Sequence, residues 1–324
     1  MGLFKTANIV SRADKISNFT VSTAEYGSAV MELLGTTRIS GNAIYYDDFT
    51  AHEHRETQRS GKGGGVKSTT ITYTYTAAVI MGLCEGPIKG IGRVWIDKEL
   101  YQYPSEKIGM TLYSGTADQQ AWPYVVGKHP EKALPYTGLA YMAGVIDLGN
   151  NASLPNFNFE VQGKLLDTGD GVDVNPADYI RYILDKVGLQ EVEIVGLENY
   201  RKYCRESDFL ISTPADYTSA KTARDIVNEI ASLTNAYMFW SNDRFKIVPR
   251  ADRPVGEWQP DKQIVYNLTA DDFLEQSNGA CVTYSRKDSS ELYNRFTVEF
   301  YNRENAYEKE SVSYEDSENI ADYG

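Results

Sequence analysis

The sequence predicts a mainly β protein with a smaller α+β part, and three observations carry that reading. The 324-residue chain holds 24 tyrosines, many in Thr- and Val-rich runs whose side chains suit a pleated surface. One run, TTITYTYTAAVI, alternates with a period of two. Ile71, Tyr73, Tyr75, Ala77 and Val79 share one face, while Thr70, Thr72, Thr74 and Thr76 share the other. Near Gly163 the texture changes, and helical spacing replaces alternation. Length alone gives a soft prior of two or three domains.

Residues 1–24 are polar and weakly patterned and read as an N-terminal arm, followed by a β-rich part over residues 25–165. There VMELLGTTRIS and AIYYDDFTAHEH flank Gly41-Asn42, which predicts a β-hairpin. In GLCEGPIKGIGRVWIDKELY, Gly86-Pro87 and Gly90 punctuate short strands and Asp97-Lys98 marks another turn. Trp122-Pro123 and His129-Pro130 limit any helix between residues 117 and 133 to a turn or two. Strand pattern returns in LAYMAGVIDLG and NFNFEVQG.

Residues 166–255 read as the α+β part. Asn175 as N-cap, Pro176 at the first helical position and Asp178 in the first turn open a helix that Gly188 closes. Its apolar stripe is Tyr179, Ile180, Ile183, Leu184 and Val187. A second helix is expected from near Ser219, with Ala223, Ile226, Val227, Ile230 and Leu233 at helical spacing. AYMFW, the turn SNDR and FKIVPR then form a hairpin. Over residues 256–324 the β pattern resumes in IVYNLTADDFL, ACVTYSR and NRFTVEFYNRENAYEKESVSY. There Phe296, Val298 and Phe300 share a face, and Asn302 to Asn305 turn the chain. YEDSENIADYG carries no terminating signal, so this segment is expected to continue past Gly324.

The charge balance, 45 acidic against 32 basic residues, gives a net of −13 with no basic stripe, which argues against a protein that grips nucleic acid. Solubility explains it most simply; a conduit through which DNA slides without sticking is the other reading. Cys84, Cys204 and Cys281 are an odd number without metal-ligand spacing and read as reduced, structural thiols of a cytoplasmic product. No apolar run approaches the roughly 18 residues of a membrane span, and MGLFKTANIVSRADK lacks a signal-peptide core.

One string, KGGGVKS from Lys62 to Ser68, is close to a lysine-first phosphate-binding loop. Such a loop must leave an apolar strand and open into a helix, so that backbone amides and the helix N-terminus converge on phosphate. Here AHEHRETQRS precedes it, an alternating strand follows, and Val66 stands where a glycine is wanted. The loop therefore reads as a flexible connector and interaction loop, Lys62, Gly63, Gly64, Gly65 and Lys67, and a nucleotide-hydrolysing function is rejected. His52 and His54, with Glu53 and Glu56 nearby and His129 the remaining histidine, could approach a metal-ligand set but read as solvated strand residues. Asp167, Asp170 and Asp173 have the wrong spacing for a calcium loop and read as an acidic turn before a capped helix. No motif for hydrolytic catalysis is present. The expectation is no enzyme, with no catalytic residue, cofactor or metal.

Five segments in order resemble the phage tail-tip and baseplate hub family, which includes lambda-type tip attachment proteins and gene-transfer-agent tail proteins. They are LCEGPIKGIGRVWIDKEL, LPYTGLAYMAGVIDLGNNASLPNFNFEVQG, NPADYIRYILDKVGL, EIASLTNAYMFWSNDRFKIVPR and NLTADDFLEQSNGACVTYSR. The resemblance spans about residues 25–324. One departure is SNDR, where the family more often has glycine in the turn. The resemblance implies tail-tube-like β-barrel or sandwich hub domains with an inserted α+β domain. It also implies a homotrimeric ring at the virion tail tip, assembled in the bacterial cytoplasm. Implied partners are a distal tail protein or tail-tube ring, the tape-measure protein, C-terminal receptor-binding or lytic modules, and phage DNA in passage. The competing class is a β-rich carbohydrate-binding or adhesin module whose exposed tyrosines stack on sugars.

Overall fold

A computed structural model describes residues 8–17, 30–60, 66–166, 169–215, 222–261, 266–274, 285 and 293–323. They fall into two compact units, Met1–Trp258 and Gln259–Gly324. The first unit begins with strands β1 (Asn8–Arg12), β2 (Glu32–Leu34), β3 (Thr36–Ser40), β4 (Asn42–Ser60) and β5 (Val66–Glu85). It continues with β6 (Gly90–Ile96), β7 (Glu99–Gln102), β8 (Thr111–Tyr113), helix α1 (Pro123–Lys128), β9 (Leu139–Gly149) and β10 (Phe157–Gln162).

One sheet runs β1-β5-β9-β8, with β4 along the other edge of β5; a second runs β3-β10-β6-β7. Their facing residues share one core. Val79 and Met81 of β5 and Met142 of β9 meet Val94 of β6 and Phe159 and Val161 of β10. The arrangement is a sandwich, and no sheet among the described residues closes into a barrel. The alternation in β5 does what its period demands: Ile71, Tyr73, Tyr75, Ala77 and Val79 are buried, while Thr70 and Thr72 are exposed. From Ala78 onward the second face is covered too. Ala78 and Ile80 pack with Tyr141, Trp122 and Val125, the last from α1. Asp97, at φ 54°, makes the β6–β7 turn.

One expectation fails here. The chain makes no hairpin at Gly41-Asn42: β3 pairs with β10 and β4 pairs with β5. Gly41 instead hands the chain from one sheet to the other at a point too close for a side chain. A Cβ there would lie 2.6 Å from Phe159 and 3.0 Å from Met81. Within the N-terminal arm, Asn8–Arg12 forms β1, parallel to β5 from Asn8↔Lys67 to Arg12↔Ile71. Backbone pairing supplies that contact. Ile9 and Val10 stay exposed, so no hydrophobic period marks the strand.

The α+β part adds α2 (Pro176–Lys186), β11 (Ile194–Val195), α3 (Leu197–Glu206), β12 (Thr213–Ala215), α4 (Ala223–Leu233), β13 (Ala236–Ser241) and β14 (Arg244–Pro249). The Asn175 side chain accepts from the Ala177 N–H at 3.0 Å, capping α2 as expected. For α4 the cap is Thr222, in a reciprocal box with Asp225, and Ser219 lies outside the described residues. Asn242 and Asp243, both at positive φ, close the β13–β14 hairpin. The sheet order is β11-β14-β13. Ile247 on its covered face shares a core with Ile180, Tyr200 and Ile230 of the three helices and with Trp258. Val187 and Leu233, placed in apolar stripes by spacing, are exposed at the helix ends. β12 pairs with β2, so Leu34 belongs to this core while Leu33 belongs to the sandwich.

In the second unit β15 (Arg295–Asn302) and β16 (Glu308–Glu315) form an antiparallel hairpin, followed by α5 (Ser317–Tyr323). Residues 266–269 are not a strand. Within IVYNLTADDFL, Asp272 accepts from the Thr269 N–H at 2.7 Å and closes a short 3-10 turn over Ala270–Asp272. All of ACVTYSR except residue 285 lies outside the described residues, Cys281 included.

A candidate assembly interface

The β4–β5 pair is the feature that reaches out from the sandwich. Its register runs from Asn42↔Gly82 to Ser60↔Val66. At ~3.4 Å per residue, the 19 residues of β4 extend for about 60 Å. β9 pairs with β5 only from Tyr75 onward, and β1 flanks Lys67 to Ile71. The distal part of the pair is therefore a narrow ribbon beyond β9.

Side chains stiffen this ribbon on both faces. On one, the Arg12 guanidinium donates to the Tyr73 hydroxyl at 2.6 and 2.8 Å, Tyr73 donates to Glu53 at 3.0 Å, and Arg55 donates to Glu53 at 2.5 Å. These contacts, Arg55 foremost, hold the Glu53 carboxyl below the usual carboxylate range. On the other face His52 bonds Thr76 at 2.9 Å and His54 bonds Thr74 at 2.8 Å. Back on the Glu53 face, Thr57 and Thr69 pair at 3.2 Å. The two histidines do share a face, and the Nε2 of each bonds a threonine across the ribbon.

The basic connector sits at the ribbon's end. Lys62, Gly63, Gly64 and Gly65 lie outside the described residues; Lys67 is the second residue of β5, opposite Arg59. Arg55 and Arg59 are exposed on the approaching strand. A 20-residue strand follows the connector, which removes the strand-to-helix geometry that a phosphate-binding loop requires.

His129 is placed away from the other histidines. Its Nε2 lies 3.1 Å from Asp48, whose carboxylate also accepts from the Tyr124 hydroxyl at 2.9 Å, and Lys132 donates to Asp47 at 2.5 Å. Asp47, Asp48 and His129 offer ligand atoms within 4.8 Å of one another. Lys132 pairs with Asp47 and lowers its pKa, and the hydrogen bond from the Tyr124 hydroxyl lowers that of Asp48. The cluster acts as a pin between the α1 segment and an irregular stretch of β4. The acidic turn is likewise self-contained, since Asp170 accepts from the Val172 and Asp173 amides at 2.8 and 2.6 Å; Asp167 lies outside the described residues. Burial pushes the Cys84 and Cys204 thiols up to about 12, so neither is a thiolate at neutral pH.

A second polar site was not visible in the sequence. Glu32 of β2 is fully buried, where Lys164 and the Tyr182 hydroxyl both donate to its carboxylate. Lys186 lies 3.3 Å away, and both lysines also approach Glu85, at 3.7 and 3.6 Å. Burial, then the bond to Glu32, holds the Tyr182 hydroxyl well above its ordinary pKa. This network fastens β2 and the end of β10 to α2, where the sandwich passes into the α+β part.

Comparison with known proteins gives two relationships. Residues 222–323 match a family model described as a putative phage tail protein. The fold matches a chain in a solved structure of the virion of a native gene transfer agent particle, at TM-score 0.60 and 19% identity, covering 97% of this chain and 69% of that one. No curated protein sequence matches. Over residues 222–323 the chain is thus similar to a phage tail protein family, and its fold is similar to that of a chain in a gene transfer agent virion.

Proposed function

We propose that this chain is a structural, non-enzymatic component of a phage or prophage tail: the hub at the tail tip. In this reading three copies form a ring that closes the distal tube. Each copy holds two tube-like β parts, residues 25–165 and 256–324, and the α+β part, residues 166–255. The ring joins a distal tail protein or tube ring above it to receptor-binding or lytic modules below. It meets the tape-measure protein and lets DNA pass, with the acidic balance lining or flanking the passage.

The observation that carries the proposal is the β4–β5 ribbon. It is long, braced on both faces and cationic toward its end, in a chain of net charge −13. That combination suits an arm reaching to an acidic neighbouring ring, since opposite patches speed and orient docking. Tyr73 and Tyr75 are buried, so the most regular tyrosine run offers no stacking platform to a sugar.

The ribbon makes the proposal testable. Replacing residues 59–67 by an Asn-Gly turn is expected to leave a folded protein with a near-unchanged Tm. In co-expression with the neighbouring tail proteins, the shortened chain should no longer be recovered with the ring protein. Recovery equal to that of the intact chain would remove the ribbon from the interface.

A further inference from the structure

The root of the ribbon, where β4 and β5 leave the sandwich, carries two register breaks at one level. On β4, Asp47 faces Ala78 and Thr50 faces Thr76, so Asp48 and Phe49 stand opposite Ala77 alone. On β9, Tyr75 faces Gly149 and Thr76 faces Asp147, which leaves Leu148 as an extra residue. Asp48 takes φ 52°, in the left-handed region. A bulge bends its strand and raises the local twist. With one on each side of β5, the ladder resists bending least here. The cross-strand bonds farther out join β4 to β5 and leave the ribbon's angle to the sandwich unset.

Two devices span this root. On the α1 side, Tyr124, His129 and Lys132 hold Asp48 and Asp47. On the face that looks into the sandwich core, the N-terminal segment crosses from ribbon to sandwich. Asn8–Arg12 pairs along Lys67–Ile71, and the Ala13 N–H donates to the Ile71 carbonyl at 3.0 Å. Arg12 reaches the Tyr73 hydroxyl, and the Ile16 N–H donates to the Tyr75 hydroxyl at 2.8 Å. The Ile16 side chain then packs against the sandwich core. The hold is light at its outer end. Ile9 and Val10 are exposed, the Arg12 side chain is 61% exposed, and the ladder is five parallel residue pairs. A contact that buries so little apolar surface opens well before the fold does.

We propose that the ribbon pivots at this double bulge and that residues 8–16 are a releasable strap that fixes its angle. The inference rests on the ribbon as the docking arm and adds how that arm is held ready. With the strap closed, the ribbon meets its partner already oriented, and less freedom is lost on docking. With the strap open, the ribbon is two-stranded beyond β9, marginal by itself, and swings about its root.

Pulsed electron-spin resonance reads the angle as a distance distribution between labels at Gln58→Cys on the ribbon and Lys98→Cys on the β6–β7 turn, both exposed positions, with Cys281→Ser in the background. The intact arm is expected to give one narrow distribution. Removing residues 2–12 should broaden it at least about twofold, and Arg12→Ala should broaden it less. The Tm should stay near that of the unaltered protein in both, because Ile16 and the core remain. Broadening on removal alone also supports the strap and assigns the hold to the backbone ladder. A distribution as narrow without residues 2–12 as with them overturns the inference, and so does a broad one in the intact protein. Should the shortened variant not fold, an unchanged width in Arg12→Ala decides against it. Each of these contrary results leaves the docking reading standing, because recovery of the ring protein with the shortened loop tests that reading separately.

Discussion

Phe159→Ala is expected to destabilise the first unit by about 3–5 kcal/mol, among the largest effects of any single truncation in the chain. Phe159 is fully buried at the middle of β10, between β3 and β6. Its ring stacks on Phe157 at 6.0 Å between centroids and presses on the Gly41 corner. Both neighbouring strands are held by backbone ladders, so the site cannot collapse to fill the space. Equilibrium urea unfolding measures the loss. A shift below about 1 kcal/mol would show that the two sheets do not share one close-packed core.

Lys164→Met is the second large effect, at about 3 kcal/mol. Removing one partner of a buried pair leaves the other charge poorly compensated. Glu32 has no exposure of its own; without Lys164 it keeps Lys186 at 3.3 Å and the Tyr182 hydroxyl. Those remaining contacts set the expected loss at the lower end for a broken buried pair. Glu32→Gln combined with Lys164→Met should recover part of it, because the amide can still accept from Tyr182 and no unpaired charge remains. Thermal unfolding of the two variants side by side gives the comparison. Equal loss in both would mean that the network acts through packing rather than charge.

The parts of this fold that are legible in the sequence are those set by local periodicity. β5 declares itself because Tyr and Thr alternate without interruption. α2 does so because Asn175, Pro176 and Gly188 mark both ends, and the β13–β14 hairpin does so because Asn242-Asp243 tolerate positive φ. What depends on distant partners is not legible. Gly41-Asn42 has the composition of a hairpin turn, yet its glycine answers to Phe159 across the core. α3 hides because its buried residues are Tyr200, Tyr203 and Cys204, which a hydrophobic pattern counts weakly. The Glu32 network joins residues 132 and 150 positions apart, and no local pattern reports it. For the candidate interface, the basic connector was visible but its setting was not. Only the structure shows β4 and β5 continuing past β9 as a braced ribbon.

Electron-microscope class averages of the purified protein are the sharpest check on a ring of three copies. Particles of three times the 36.3 kDa chain mass are expected, with threefold symmetry, an open centre and the ribbons projecting from one side. Single copies at every concentration, or a closed assembly of another symmetry with no central opening, would contradict it.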